Sequence, residues 1–261
     1  MKEKDIIKKL RDDKEYYEGE GKKYFSASGL KTLLNEPGEY GKKTKETEDL
    51  VLGSYFHTCV LEPHKKKNYP IWTDTEIRSK AYKEHIATLG KDWIMKQSDA
   101  DKVHGWVEYL NKVTDLSKVV HDKNSLVEEP TIKKIKINGK EYYFKGKADL
   151  IIKDQIIIDL KTTNDKNIDL FLHNAKYNWH YDLQAFIYNQ LWNLPVKLIA
   201  FCKQPFETHD GTIYHKVYEC EVTKRTALIG EEKLINAINI FEDWYGENKT
   251  MSINETIKKP F

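Results

Sequence analysis

Cysteine is scarce in this chain. The three present among 261 residues, Cys59, Cys202 and Cys220, are widely separated. An odd, scattered set supports neither a disulfide framework nor a zinc knuckle, and it cannot supply the four thiolates of a cysteine-ligated iron–sulfur cluster. The three read as buried apolar thiols. No H-E-x-x-H element is present either, which argues against a zinc hydrolase. Long apolar runs are missing too, and nothing approaches the roughly 20 residues of a membrane span. The N-terminal stretch MKEKDIIKKLRDDKEYYEGEGKKYF alternates charge and has no apolar signal-peptide core. A cytoplasmic protein without a membrane partner is the expectation. An excess of one charge is also lacking: 43 Lys and Arg against 41 Asp and Glu leave a net charge of +2. Any surface for a polyanion must therefore come from local patches. Lys42, Lys43 and Lys45 form one cluster, and Lys65, Lys66 and Lys67 a second. Both read as solvated faces. A third alternates through Lys133, Lys134, Lys136, Lys140, Lys145 and Lys147.

What is present is a globular composition, 39% hydrophobic and 32% charged. Residues 2–18 read as a surface helix. Ser26 or Ser28 can cap a short helix in GLKTLLNEP, stopped before Pro37. Asp49 to Leu61 forms a compact apolar helix, and residues 75–118 read as two charged amphipathic helices carrying Trp93 and Trp106. From Ser125 the pattern becomes three antiparallel strands, the first two joined by Asn138-Gly139, a strong hairpin signal. Residues 168–176 and 180–193 read as helices, VKLIAFCK and TIYHKVYECEV as strands, and 224–247 as a closing helix. With no repeat, low-complexity tract or linker, this order implies one α+β domain over residues 1–261, with a central mixed sheet and an antiparallel hairpin core flanked by helices.

The stretch KADLIIKDQIIIDLKTT, Lys147 to Thr163, sets two aspartates among isoleucines. Its first arm alternates Phe144, Gly146, Ala148, Leu150 and Ile152 against Tyr143, Lys145, Lys147, Asp149 and Ile151. If Lys153-Asp154-Gln155 is a three-residue loop, residues whose numbers sum to 308 pair, which sets Asp149 opposite Asp159 and Lys147 opposite Lys161. A two-residue loop would separate them. Opposed side chains lie about 5 Å apart at Cβ, where two unit charges repel by about 3 kcal/mol at an effective dielectric of 20. A divalent cation with oxygen ligands relieves that repulsion economically. Asp149 with Asp159-Leu160-Lys161 is the D…(D/E)-x-K pattern of a metal-dependent phosphodiesterase. Two carboxylates hold Mg²⁺ or Mn²⁺ against the phosphate, and the lysine orients or activates the attacking water. The bare pattern is weak, because charged residues on a solvent-facing hairpin are common. Its apolar setting strengthens it. His57, on a helix among Phe56, Val60 and Leu61, reads by spacing alone as a core histidine.

YFSASGLKTLLNEPGEY, LGSYFHTCVLEP, an acidic pair, KGKADLIIKDQIIIDLKTT and YDLQAFIYNQ follow one another in an order that resembles RecE-type (exonuclease VIII-like) phage nucleases. These belong to the PD-(D/E)xK superfamily, with lambda exonuclease and the RecB nuclease domain as relatives. The resemblance covers residues 24–205, leaving 1–23 as an N-terminal helical extension and 206–261 as a C-terminal strand and helix. It implies the restriction-endonuclease-like fold and a Mg²⁺- or Mn²⁺-dependent deoxyribonuclease that degrades linear duplex DNA from its ends in phage recombination. An endonuclease of the same superfamily and a non-catalytic DNA-binding recombination partner are the alternatives. A homo-oligomer and a single-strand annealing recombinase partner are implied as well. Carried over by position, His57, Asp149, Asp159 and the Leu160 carbonyl resemble the metal shell, with Glu128 or Glu129 as an additional acid. Lys161 resembles the catalytic lysine. Gln184 and Tyr188, neighbours on one helix face, resemble the flanking motif, and Lys145 and Lys147 are expected beside the site or on DNA. Ala148 stands where the superfamily name has proline, and Asp159 where relatives often carry glutamate. Neither change damages the chemistry.

Overall fold

The computed structural model describes residues 2–73 and 79–247. Its centre is a sheet of β1 (Ser125–Ile137), β2 (Lys140–Ile152), β3 (Ile156–Thr163), β4 (Val196–Cys202) and β5 (Val217–Glu221), side by side in that order. Only β3 and β4 run parallel. Asn138 and Gly139 turn β1 into β2 with φ of 49° and 84°, the left-handed pair whose twist matches that of the strands. Lys153-Asp154-Gln155 forms the next turn, with Asp154 at φ 58°. Aspartate tolerates that conformation where a β-branched residue would not. The resulting pairs, Ile152 with Ile156, Ile151 with Ile157 and Leu150 with Ile158, follow the expected register.

A parallel pair needs a crossover, and between β3 and β4 the chain passes through α8 (Ile168–Tyr177) and α9 (Tyr181–Trp192). Helices cover both faces of the sheet. On one face α3 (Ala27–Asn35), α9 and α10 (Lys224–Tyr245) pack around Leu30, Leu33, Phe144, Ala148, Leu183, Ile187 and Leu234. On the other, α4 (Glu48–Leu61), α6 (Gln97–Val113) and α7 (Leu116–Val120) enclose Phe56, Val103, Leu110, Leu150, Ile158 and Phe201. The expected α+β class, with a hairpin-centred mixed sheet flanked by helices, is the observed one.

Several boundaries differ from the sequence reading. Residues 2–18 form two helices, α1 (Glu3–Lys9) and α2 (Asp13–Tyr17), because Leu10 is drawn into a small core with Tyr16 and Ile132 and Asp12 caps α2 through the Glu15 N–H. Ser26, rather than Ser28, caps α3 by accepting the Gly29 N–H. Within 75–118, residues 74–78 lie outside the described part, and α5 (Lys80–Thr88) ends before Trp93, which lies in the connection to α6. TIYHKVYECEV divides into a two-residue strand at Ile213–Tyr214 and β5, and the tail beyond 247 lies outside the described residues. The three cysteines are free thiols, two buried and Cys220 half-buried.

The seating of α10 on α9 depends on a missing side chain. A Cβ at Gly230 would lie 2.4 Å from the Asp182 carbonyl oxygen and 2.8 Å from Phe186 Cβ. Backbone cannot step aside for it. Gly230→Ala is expected to lower unfolding free energy by about 1–3 kcal/mol, the range for overpacking. Gly105 lies exposed within α6 with nothing near its Cβ position, and Gly105→Ala should raise stability by about 0.5–1 kcal/mol. Denaturant titration of the two variants checks both signs.

Candidate active site

Ladder pairing between β2 and β3 stops at Leu150 and Ile158. One residue further along, the Asp149 side chain enters the gap, and its Oδ2 accepts the Leu160 N–H at 2.7 Å. A carboxylate thus takes the place of a backbone carbonyl, and the strands part around it. On β1, Glu128 falls at the position that the ladder skips between the Val127–Leu150 and Glu129–Ala148 pairs, and it holds φ of 48°. The ribbon changes sides here: Ala148 packs in the α3–α9–α10 core, whereas Leu150, two residues later, packs in the α4–α6–α7 core. Strict alternation had placed them together. The bend corrects that expectation and sets Asp149 at a cleft of about 720 Å³ between the two layers.

Asp159 is almost wholly buried, 1% exposed. Its Oδ1 accepts from Gln184 Nε2 at 3.1 Å. Its Oδ2 lies 2.7 Å from Lys161 Nζ in an ion pair whose alignment falls short of a hydrogen bond, leaving a buried oxygen without a hydrogen-bonding partner. Burial pulls the Lys161 ammonium down, but Asp159 and Asp149 outweigh it and hold the group protonated. Burial pushes both carboxyl groups upward. His57 Nδ1 stands 3.5 Å from Asp149 Oδ2. Burial, then the nearby Lys161 charge, lowers its pKa to about 4, so the imidazole is neutral at pH 7 with a lone pair available.

Of the two candidate acids, Glu129 is engaged by Arg11 at 2.6 Å. Glu128 lines the cleft, where burial and then Asp149 push its carboxyl up to about 8. Tyr188, one turn beyond Gln184 on α9, donates its hydroxyl to the Lys147 carbonyl at 2.9 Å. Lys145 and Lys147 also line the cleft, but neither ammonium group is free and Lys147 is not paired across to Lys161. Lys145 donates to the Tyr16 carbonyl and Lys147 meets Asp13 at 2.5 Å, with both lysines over the Tyr16 ring. Helix α2 therefore lies across them, and the two ammonium groups sit beside the cleft engaged by the Tyr16 carbonyl and Asp13.

Lys31 escaped the sequence reading. It donates to Gln184 Oε1 at 2.6 Å, fixing which end of that amide faces Asp159. Burial, then the Lys161 charge, lowers its pKa to about 7. Lys31 and Lys161 both stand over the Tyr181 ring, at 4.7 and 5.1 Å. A lysine in a short amphipathic helix ordinarily reads as solvated, and no sequence signal marks this one.

Whether these groups suit a metal ion turns on the orphaned Asp159 Oδ2. Among the described residues, no three His, Cys, Asp or Glu side chains converge on one point, since Asp159 is turned to Lys161 and Gln184, and Asp149 to the Leu160 N–H. The donor chemistry fits all the same. An unsatisfied carboxylate oxygen, a second carboxylate and a neutral imidazole suit a hard divalent cation.

Residues 22–201 match the model of a family described as a PDDEXK-like domain of unknown function, DUF3799. No curated protein matches this chain. Among solved structures, a protein from Eubacterium rectale described as a candidate exonuclease is similar over 96% of this chain and 95% of its own, with a TM-score of 0.62 at 18% identity. That likeness concerns the fold. Another solved structure aligns over 82% of this chain and 84% of its own at 20% identity, but its TM-score of 0.33 carries no argument.

The two carboxylates have different partners and should respond differently to neutralisation. Asp149 has no lysine or arginine in ion-pair contact among the described residues, whereas Asp159 holds Lys161. In chelator, Asp149→Asn is expected to raise the melting temperature by removing a buried charge beside Glu128. Asp159→Ala should cost about 3 kcal/mol, because it strips the partner from a buried ammonium group. Equal shifts of the same sign in thermal melts would contradict this electrostatic account.

Proposed function

This chain belongs to the PDDEXK-like family whose model it matches over residues 22–201, and on that premise we propose that it is a metal-dependent deoxyribonuclease. The observation that carries the proposal is the meeting of Asp149, Asp159, Lys161 and Gln184 where β2 and β3 part, inside one cleft. His57, Asp149, Asp159 and the Leu160 carbonyl would hold Mg²⁺ or Mn²⁺, with Glu128 as the additional acid. Such an ion, when bound, supplies Lewis-acid stabilisation of the phosphate and an acidified water.

The chain's own groups account for the rest. Lys161, kept protonated by two carboxylates, places a fixed positive charge where negative charge grows on the phosphate as water attacks. Its N–H groups also orient that water. Gln184 fixes the Asp159 carboxylate from behind, and Lys31 fixes Gln184. His57, being neutral, offers a nitrogen lone pair without adding charge. The RecE-type resemblance extends the proposal to digestion of linear duplex DNA from its ends, in a homo-oligomer that works with a single-strand annealing recombinase. The chain is proposed to act as one nuclease domain in the cytoplasm. Among the described residues no helix is long and apolar enough to cross a membrane.

End-labelled linear duplex and covalently closed circular duplex separate the possibilities. With Mg²⁺, linear DNA should be shortened progressively and the circle left intact. Nicking or linearisation of the circle would assign an endonuclease, and inert DNA of both kinds a binding module. Lys161→Ala is expected to reduce cleavage by at least about 10²-fold, the loss typical for one preorganised electrostatic group. Full activity in excess chelator would remove the metal from the mechanism.

His57 allows a sharper test. As a ligand, its replacement in His57→Ala should raise the metal concentration for half-maximal activity, and added metal should partly restore the rate. As a packing residue, it would instead lower the melting temperature with metal dependence unchanged. The first outcome is expected, since the imidazole faces the cleft beside Asp149.

A further inference from the structure

A second groove, of about 560 Å³, opens beside the cleft and shares Tyr17, Leu50, Ser54 and Tyr69 with it. Its volume falls within the roughly 300–1,000 Å³ of ligand sites, yet nothing in the hydrolytic chemistry uses it. Three aromatic rings line it. Tyr17 is 63% exposed, at the end of α2. Tyr69 is held in place through its hydroxyl by Ser54 at 2.7 Å and Thr58 at 3.0 Å, with the Tyr55 ring 5.0 Å away. Trp93 is half-buried against the α4–α6–α7 core.

Lysines border the same space. Lys91 is paired with Glu46 at 2.7 Å. Lys43 and Lys45 are exposed and make no ion pair among the described residues. A merely solvated basic face would not need to border a groove lined by rings.

We propose that this groove binds single-stranded nucleic acid, namely the unpaired tail of the DNA whose duplex part occupies the cleft. The proposal rests on the nuclease reading of the cleft. Rings and lysines together match what an unpaired strand presents: every base has a free π-face to stack, and each phosphate carries a negative charge. A duplex shares the phosphate charge but not the free π-faces, because its bases are already stacked on one another. Continuity through Tyr17 and Tyr69 lets a strand pass from the groove to the Asp149–Asp159 site without leaving the surface.

The test compares a blunt duplex, the same duplex with an oligothymidine tail, and free oligothymidine, by fluorescence anisotropy in a Lys161→Ala background that does not cut. The tail should tighten binding by about tenfold, within the contribution of one stacked base. The double variant Lys43→Gln, Lys45→Gln and the single variant Trp93→Leu should each abolish most of that gain and leave blunt-duplex affinity unchanged. Because the two lysines are exposed, the double variant reads the groove even if Trp93→Leu loses stability. A gain that survives in the double variant, or a loss shared equally by blunt duplex, overturns the proposal. Free oligothymidine separates the two readings. If no duplex is bound or cut, the nuclease reading fails. Binding of oligothymidine that the lysine variants weaken would still support the groove, and absent or unaffected binding would overturn it.

Discussion

A carboxylate placed inside a β-ladder is the constraint from which the rest of this structure follows. Hydrogen bonds between strands normally pair backbone with backbone, and an unpaired buried N–H is costly. Here Asp149 supplies the acceptor for Leu160 instead. A hydrogen bond to a charged group contributes about 1.5–3 kcal/mol, so the exchange holds, but a side chain needs more room than a carbonyl. β2 and β3 must diverge to admit it, and the hairpin must bend. That bend sends Ala148 and Leu150 into different cores and leaves the gap between the layers where the cleft lies.

Divergence brings a second problem, since it buries charge. Asp159 lies beneath the surface and burial disfavours its ionised form. Lys161 answers this from the same strand and the same face, two residues later. Two charges held so deeply are usually no more stable than an apolar pair of the same volume. Retaining them, together with an oxygen that lacks a hydrogen-bonding partner, is what a site kept for function looks like rather than one optimised for packing. The surroundings are organised to match. Gln184 spends both ends of its amide holding Asp159 in line with Lys31, and Tyr188 fixes the Lys147 carbonyl on the strand beside Asp149.

Much of this is legible in the sequence, for local reasons. The parity of Lys153-Asp154-Gln155 sets the register, and register sets which residues lie opposite Asp149. Asn138-Gly139 likewise declares its turn. What cannot be read is non-local. Periodicity assumes a ribbon that keeps its faces, whereas the Glu128–Asp149 position lets it change sides. Nothing near Lys145 or Lys147 announces that Asp13 and Tyr16, more than a hundred residues earlier, will cover them. Glu128 and Glu129 are indistinguishable as neighbours in sequence, and only the fold separates them, turning Glu128 into the cleft and bringing Arg11 to Glu129. Lys31 hides for the same reason, its partner being on a helix 153 positions away.

Covering Lys145 and Lys147 has an electrostatic consequence for a chain of net charge +2. Lys147, paired with Asp13, contributes little to long-range attraction of a polyanion, which depends on unpaired charge near the surface, and Lys145 is buried against the Tyr16 carbonyl and ring. Unpaired positive charge lies instead along the neighbouring groove, away from the Asp149–Asp159 site. There it is carried by Lys43 and Lys45, in a cluster whose sequence alone suggests a solvated face. Attraction and chemistry are in this way assigned to different lysines. Buried Lys161 and Lys31 are fixed by partners at short range and set geometry. Exposed lysines at the groove edge set where an unpaired tail meets the protein, and their influence should fall with salt because nothing shields them from solvent ions.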